Sequence, residues 1–169
     1  QLQNFTPAIY NKVLGIYKNS IQLRELITEL LDFRKQEQGY MNIKVSEYNI
    51  VDFVYEHYLL FADYAKLRNI TFTFEKSHDD IPMWYDAKQM QKVMNNLISN
   101  AFKYTPDGKS VSIEVSLSDR TVSIAVADRG IGIDEQHRKM LFHRFENFTH
   151  SDMMHPSSGI GLSMAREMV

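Results

Sequence analysis

The chain has 169 residues, of which 44% are hydrophobic, 12% are aromatic and 24% are charged, and its net charge is −2. These values favour a folded chain over a disordered one, and the near-neutral charge excludes the basic surface on which nucleic-acid binding depends. The absence of cysteine excludes a disulfide scaffold and a thiolate metal site. No apolar run approaches the roughly 20 residues that span a bilayer, so we expect a soluble piece without direct membrane contact.

A long helical pattern runs over residues 8–38, and Pro7 precedes it at a position that a first helical turn tolerates. Its apolar residues at heptad spacing are Ile9, Ile16, Leu23, Leu26, Leu30 and Phe33. Lys12 and Asn19 interrupt one of the two rows. The spacing predicts the seam of a coiled coil or helical bundle, and a plain amphipathic helix packed on its own domain is the alternative.

The region after this helix alternates between short strand and helix patterns. The predicted elements are a strand from Met41 to Val45, a helix capped by Asn49 and running to about Leu67, a strand from Ile70 to Phe74 and a short strand from Met83 to Tyr85. Asp86, with Gln89 three residues later, predicts the N-cap and capping box of a further helix. That helix ends in the turn sequence Thr105-Pro106-Asp107-Gly108.

A β-hairpin is predicted after this turn. The residues that alternate with polar ones along its two strands are Val111, Ile113, Val115 and Leu117, followed by Val122, Ile124 and Val126. This alternation predicts one buried face. Together, the elements predict an α/β (α+β) two-layer sandwich, in which helices cover one face of a mixed, mostly antiparallel sheet and a long N-terminal helix precedes it.

The stretch NNLISNAFKYTP, from Asn95 to Pro106, carries the clearest chemical signal. Asn96, Asn100 and Lys103 stand at i, i+4 and i+7, so they project from one face of the predicted helix, while apolar residues follow another face. Amides and an ammonium group on one face suit a bound anion and its metal. Taken alone, the two asparagines are equally well explained as solvated surface residues.

Three later segments follow this stretch in a fixed order: DRGIGI at 128–133, FHRFENF at 142–148 and SSGIGL at 157–162. With NNLISNAFKYTP, they resemble the N, G1, F and G2 boxes of the ATP-binding catalytic domain of sensor histidine kinases. That domain has the Bergerat ATPase fold, which gyrase and mismatch-repair ATPases share at superfamily level. ELLDFRKQEQGYM, at 29–41, resembles the end of the second helix of the dimerisation and phosphoacceptor hairpin, and is most similar to hybrid two-component sensors of Bacteroides-type bacteria.

The resemblance implies a role for each box in holding ATP and Mg²⁺. The implied nucleotide-binding residues are Asn96, Asn100, Lys103, Tyr104, Asp128, Gly130, Gly132, Ile133, Phe145, Gly159, Gly161 and Leu162. Among these, Asp128 would accept a hydrogen bond from the adenine amine, and Asn100 would be the Mg²⁺ ligand. Asn96, Lys103 and Arg144 are the implied catalytic residues. Arg144 would reach the γ-phosphate or a partner surface, and a solvated rim residue is an equally good explanation of it. Ser157 replaces the first glycine of the usual G2 pattern, which implies a differently posed lid.

The resemblance also implies a division of the chain. Residues 1–40 would be the remnant of the hairpin, through which the intact protein forms a homodimer, and residues 41–169 the ATP-binding domain, truncated at its C-terminus. A response-regulator receiver domain is the implied partner, and the whole protein is implied to be an inner-membrane sensor with this domain in the cytoplasm. None of the six histidines lies in the family's phosphoacceptor pattern, so we expect this chain to bind Mg-ATP without phosphorylating itself.

Three alternatives follow from the same residues. The first is a Bergerat-fold ATPase of another class, either an anti-sigma serine kinase or a topoisomerase-like enzyme, which the LLDFRK helix argues against. The second is a degenerate module that only dimerises or binds partners, for which Ser157 is the one visible sign. The third is a metal site of His143, His150 and His155, which their irregular spacing disfavours.

Overall fold

The computed structural model describes residues 42–143 and 161–168, together with positions 9, 12, 13, 15–17, 19, 20, 23, 24, 27, 28, 31 and 34. The chain divides into two compact units, Gln1–Asn42 and Ile43–Val169. Every described position from 9 to 34 is helical, and Ile9, Ile16 and Leu23 of the predicted seam are exposed. Leu26, Leu30 and Phe33 of that seam lie outside the described residues.

The second unit contains five strands and four helices among the described residues. They are β1 (Ser46–Asn49), α1 (Ile50–Leu67), β2 (Thr71–Lys76), β3 (Pro82–Tyr85), α2 (Ala87–Tyr104), β4 (Ser110–Ser118), β5 (Thr121–Asp128), α3 (Glu135–Met140) and α4 (Gly161–Met168). β1 pairs antiparallel with β3 in a two-stranded sheet. A second sheet has the order β2-β4-β5, in which β4 runs parallel to β2 and antiparallel to β5.

The core lies between the three-stranded sheet and the two long helices. Val111, Ile113 and Val115 of β4 are buried, whereas Glu114 between them is exposed, as expected for a strand with one covered face. Phe102 of α2 is fully buried, where its ring stacks on Phe61 of α1 and meets Phe72 of β2 edge to face. The predicted α+β architecture with helices on one face is therefore confirmed, although the strands form two sheets rather than one.

Side-chain caps fix the starts of both long helices. The Asn49 side-chain oxygen accepts hydrogen bonds from the Val51 and Ile81 N–H groups, which confirms the predicted start of α1 and ties it to the segment before β3. Asp86 accepts from the N–H groups of Lys88 and Gln89, as predicted for α2. The reciprocal half of the predicted capping box is not seen, because the Gln89 side-chain oxygen is buried with no partner among the described residues.

The predicted strand from Met41 to Val45 is wrong, since positions 42–45 are irregular and β1 begins at Ser46. The Lys44 N–H donates to Asp86 Oδ2 at 2.8 Å, which takes this part of the backbone out of a strand ladder. The same hydrogen bond lowers the pKa of the Asp86 carboxyl. Among the residues that the structure describes, no helix is both long enough and apolar enough to cross a membrane.

Candidate functional site

One partly buried polar face of α2 carries the residues of the NNLISNAFKYTP motif. The buried residues of α2 are Val93, Met94, Ile98, Ala101 and Phe102. Because α2 is continuous from Ala87 to Tyr104, Asn96, Asn100 and Lys103 follow one another on successive turns. All three are partly exposed, so they are accessible to a ligand.

The DRGIGI loop packs directly against the C-terminal end of α2. The Ile131 N–H donates to the Tyr104 carbonyl at 3.2 Å. A Cβ on Gly130 would overlap the Tyr104 carbonyl oxygen, and it would lie 3.0 Å from the carbonyl carbon and 2.6 Å from Asp128 Oδ1. Only glycine allows this approach of loop to helix without a shift of the backbone.

Asp128 is the last residue of β5 and is exposed beside this loop. Its Oδ1 accepts a hydrogen bond from the Gly130 N–H at 2.8 Å, which fixes the carboxylate against the turn. Among the described residues, no other group bonds to this carboxylate, so its second oxygen is available as an acceptor. An acceptor fixed at a strand end selects a ligand that presents an N–H group.

The two glycines of the DRGIGI loop have different roles. Gly132 has a φ of +75°, and no atom lies within 4 Å of the position that a Cβ would take. Glycine is therefore favoured there by the backbone conformation and not by a lack of space. Gly130 instead serves close packing on α2. The exposed side chains of Ile131 and Ile133 flank Gly132 and give the loop an apolar surface.

The start of α4 packs against the middle of α2. A Cβ on Gly161 would overlap the Asn96 side-chain oxygen and lie 3.0 Å from its Cγ. Ser163, Met164 and Ala165 are buried beyond it, while Leu162 is partly buried. α2 therefore contacts the G1 loop at its end and the G2 segment about two turns earlier, which brings three of the four boxes together.

Lys103 and Tyr104 form a cation–π pair at the end of α2. The Lys103 Nζ lies 5.3 Å from the centroid of the Tyr104 ring, and both side chains are partly exposed. The Tyr104 carbonyl also holds the DRGIGI loop, so Lys103 directly precedes the residue to which the loop is anchored. The pair places a positive charge at the accessible end of the polar face.

Part of the predicted site lies outside the described residues, namely Arg144, Phe145, Ser157, Gly159, His150 and His155. Of the F box, Phe142 is exposed, and the Arg166 guanidinium lies 5.3 Å from its ring centroid. Within the described part of the chain, no group of three or more His, Cys, Asp or Glu side chains could hold a metal ion.

Sequence reasoning missed two features near the site. Helix α3 begins at an N-cap, Asp134, whose side chain accepts from the His137 N–H, a signal that the sequence does carry. Arg68 at the end of α1 bonds to the end of α2, and no motif or spacing in the sequence indicates this contact.

These motifs and contacts can be compared with known proteins. The family model of histidine kinase-, DNA gyrase B- and HSP90-like ATPases matches residues 85–169, which include α2, the DRGIGI loop and α4. The chain belongs to this family. It is an ATP-binding domain of the kind found in sensor histidine kinases, since the relatives and solved structures that resemble it are named histidine kinases.

Two relatives and one solved structure illustrate the similarity. Histidine kinase P4 of Formosa agariphila is 38% identical over 164 residues, which cover 95% of this chain and 12% of the relative. Hybrid signal transduction histidine kinase D of Dictyostelium discoideum is 31% identical over 160 residues, covering 91% of this chain and 10% of the relative. The catalytic domain of histidine kinase ThkA matches with a TM-score of 0.65 and 27% identity over 76% of this chain and 80% of that one. This chain thus spans about an eighth or less of the length of these two relatives.

Proposed function

We propose that this domain binds Mg-ATP and, within its whole protein, transfers the γ-phosphoryl group to a histidine on the hairpin helix, as a step of two-component signal transduction. The observation that supports this most is the convergence of three boxes on α2. A methyl group on Gly130 would overlap the backbone of α2, and one on Gly161 would overlap the Asn96 side-chain oxygen, so the DRGIGI loop and the G2 segment both lie against the helix that carries Asn96 and Lys103.

Asp128 would select the adenine base. Its Oδ1 is held by the Gly130 N–H, so its second oxygen can accept from the exocyclic amine of adenine. Guanine carries a carbonyl in place of that amine, and two facing acceptors would both lose their hydrogen bonds. Ile131 and Ile133 would offer apolar surface beside the base, and Gly132 the turn that presents them.

The polar face of α2 would hold the phosphates and the metal. Mg²⁺ prefers oxygen ligands and keeps several waters while it bridges phosphates, so the Asn100 side-chain oxygen with nucleotide oxygens fits its chemistry. Asn96, one turn earlier, would support the metal or the phosphates. Lys103 would act as a point charge on the phosphates, with Tyr104 beside it. Bound Mg²⁺ would neutralise charge on the phosphate oxygens.

Phosphoryl transfer needs positioning and charge stabilisation rather than covalent help from the protein. Residues of this chain would therefore contribute by holding the nucleotide, with Arg144 reaching the γ-phosphate and Phe145, Gly159, Gly161 and Leu162 forming the lid. The acceptor histidine would come from the first hairpin helix, because none of the six histidines here matches the acceptor pattern. This chain alone would bind Mg-ATP without phosphorylating itself.

The proposal extends to the whole protein. Its hairpin, of which residues 1–40 would be the second helix, would form a homodimer, and a response-regulator receiver domain would take the phosphoryl group onward. The homodimer is supported by the exposed heptad residues Ile9, Ile16 and Leu23. The receiver domain is supported by the hybrid kinase among the relatives. We place the domain on the cytoplasmic side of an inner-membrane sensor.

Asp128→Asn tests the adenine contact. The amide can keep the Gly130 hydrogen bond through its oxygen, but its NH₂ group would face the adenine amine. Loss of this charge-assisted bond corresponds to roughly a ten- to hundredfold weaker affinity for a non-hydrolysable ATP analogue in calorimetric titration. Asp119→Asn is the matched control, because Asp119 lies in the exposed hairpin turn at a φ of 55°, which asparagine tolerates. Unchanged affinity in Asp128→Asn would show that the adenine contact lies elsewhere.

A further inference from the structure

The C-terminal turn of α2 depends on donors from outside the helix. The last carbonyls of an α-helix have no partner within it, and each needs a donor from elsewhere. The Ala101 carbonyl accepts from the hydroxyl of buried Thr105 at 2.6 Å, and the Tyr104 carbonyl accepts from the Ile131 N–H. The Phe102 and Thr105 carbonyls accept from a single side chain, that of Arg68.

Arg68 reaches this turn from the end of α1. Its Nη1 donates to the Phe102 carbonyl at 3.3 Å, and its Nη2 donates to the Thr105 carbonyl at 3.0 Å. The side chain is 27% exposed and is itself held on two further sides. Its Nε pairs with Asp107, and its Nη1 also meets the Tyr64 hydroxyl at 3.2 Å. Asp107 and Tyr64 therefore hold the guanidinium in addition to its two contacts with the end of α2.

The two carbonyls that Arg68 holds flank the two residues that matter for the site. Phe102 and Thr105 enclose Lys103 and Tyr104, so their bonds to Arg68 set the direction of the turn between them. The Tyr104 carbonyl in this turn anchors the DRGIGI loop through Ile131. A shift of the turn would move the Lys103 ammonium group and the loop together.

We infer that Arg68 is a positioning residue of the nucleotide site: its planar fork holds the last turn of α2 so that Lys103 faces the phosphates and the Tyr104 carbonyl meets the DRGIGI loop. This inference rests on the proposed function of ATP binding. Lysine cannot replace arginine here, because one ammonium group cannot reach Phe102, Thr105 and Asp107 in the same plane. Arg68 contacts no ligand in this role.

The experiment compares Arg68→Ala and Arg68→Lys with wild type in the full chain. Lys66→Ala is the matched control, since Lys66 lies two residues earlier, carries the same charge and, among the residues that the structure describes, pairs only with exposed Asp63. The first measurement is calorimetric affinity for a non-hydrolysable Mg-ATP analogue. The second is amide hydrogen exchange at Ile131, compared with that at Ile113 in the sheet core.

We expect an affinity about tenfold lower in Arg68→Ala, a smaller loss in Arg68→Lys and none in Lys66→Ala. Exchange at Ile131 should accelerate about tenfold in both Arg68 variants while exchange at Ile113 changes less. Loosening of the last turn of α2 affects only the nearby Ile131 amide, whereas destabilisation of the whole domain would accelerate exchange at both amides. Three results would each overturn the inference. They are an unchanged affinity in Arg68→Ala, wild-type affinity and exchange in Arg68→Lys, and an equal acceleration of exchange at Ile131 and Ile113. If wild type binds no nucleotide, the proposed function fails, and the exchange comparison still decides the role of Arg68.

Discussion

Gly130→Ala tests whether the DRGIGI loop depends on contact with the backbone of α2. The added methyl carbon would overlap the Tyr104 carbonyl oxygen and lie 3.0 Å from the carbonyl carbon. A helix backbone cannot rotate away as a side chain can, so the loop must move. Overpacking of this kind costs about 1–3 kcal/mol, and loss of the Ile131 N–H bond to Tyr104 adds about 1 kcal/mol. We expect the free energy of unfolding to fall by about 2–4 kcal/mol, a large share of a domain's total stability.

The assay is urea denaturation, with Gly132→Ala as the matched control in the same loop. Gly132 has open space around its Cβ position, so alanine there meets only the strain of a φ of +75°, which costs about 1 kcal/mol. We expect Gly130→Ala to be the more destabilising of the two and also to weaken binding of an ATP analogue. If the urea midpoint of the Gly130→Ala variant were equal to or higher than that of the Gly132→Ala variant, the packing argument would be refuted.

Two further predictions concern Asp86 and Asn100. Asp86→Ala removes the N-cap of α2 and should lower the free energy of unfolding by about 1 kcal/mol at pH 7. Because folding lowers the pKa of Asp86, mainly through the Lys44 N–H, the charge-dependent part of this difference should be present above about pH 4 and disappear as the pH falls through the lowered pKa. Denaturation series from pH 7 to pH 2 would show this, and a constant difference would contradict it. Asn100→Ala should abolish the magnesium dependence of ATP-analogue binding in calorimetry, and a variant that still needs magnesium would place the metal elsewhere.

Local signals in the sequence predicted the elements that depend on local chemistry. Asn49 and Asp86 each precede an apolar-periodic segment, and both cap helices as predicted. The alternation of Val111, Ile113 and Val115 with polar residues gave the buried face of β4. Capping and alternation involve only near neighbours, so they can be read from one sequence.

Other features depend on contacts between distant segments. The alternation at Ile43 and Val45 suggested a strand, but the Lys44 N–H bonds to the Asp86 side chain, 42 residues away. The parallel pairing of β2 with β4 arises through the crossover that contains α2, and nothing in either strand specifies it. Arg68 resembles any surface arginine in the sequence, because its partners on α2 are 34 and 37 residues later.

In the candidate site, too, local features were predicted from the sequence and contacts between distant segments were not. The sequence predicted that Asn96, Asn100 and Lys103 share a face, and α2 places them so. It also singled out Gly130 and Gly161, but for their expected approach to a nucleotide. The structure adds that Gly130 is needed for contact with the backbone of α2 and that Gly161 lies against the Asn96 side chain, which only the packed chain can reveal.

We propose above that α2 and the DRGIGI loop form a pocket for Mg-ATP. Calorimetric titration of the chain with a non-hydrolysable ATP analogue, with and without Mg²⁺ and with the GTP analogue in parallel, tests it most directly. We expect saturable binding of the ATP analogue that requires Mg²⁺, and binding of the GTP analogue at least tenfold weaker. No binding by a folded sample, or equal binding of both analogues, would contradict it.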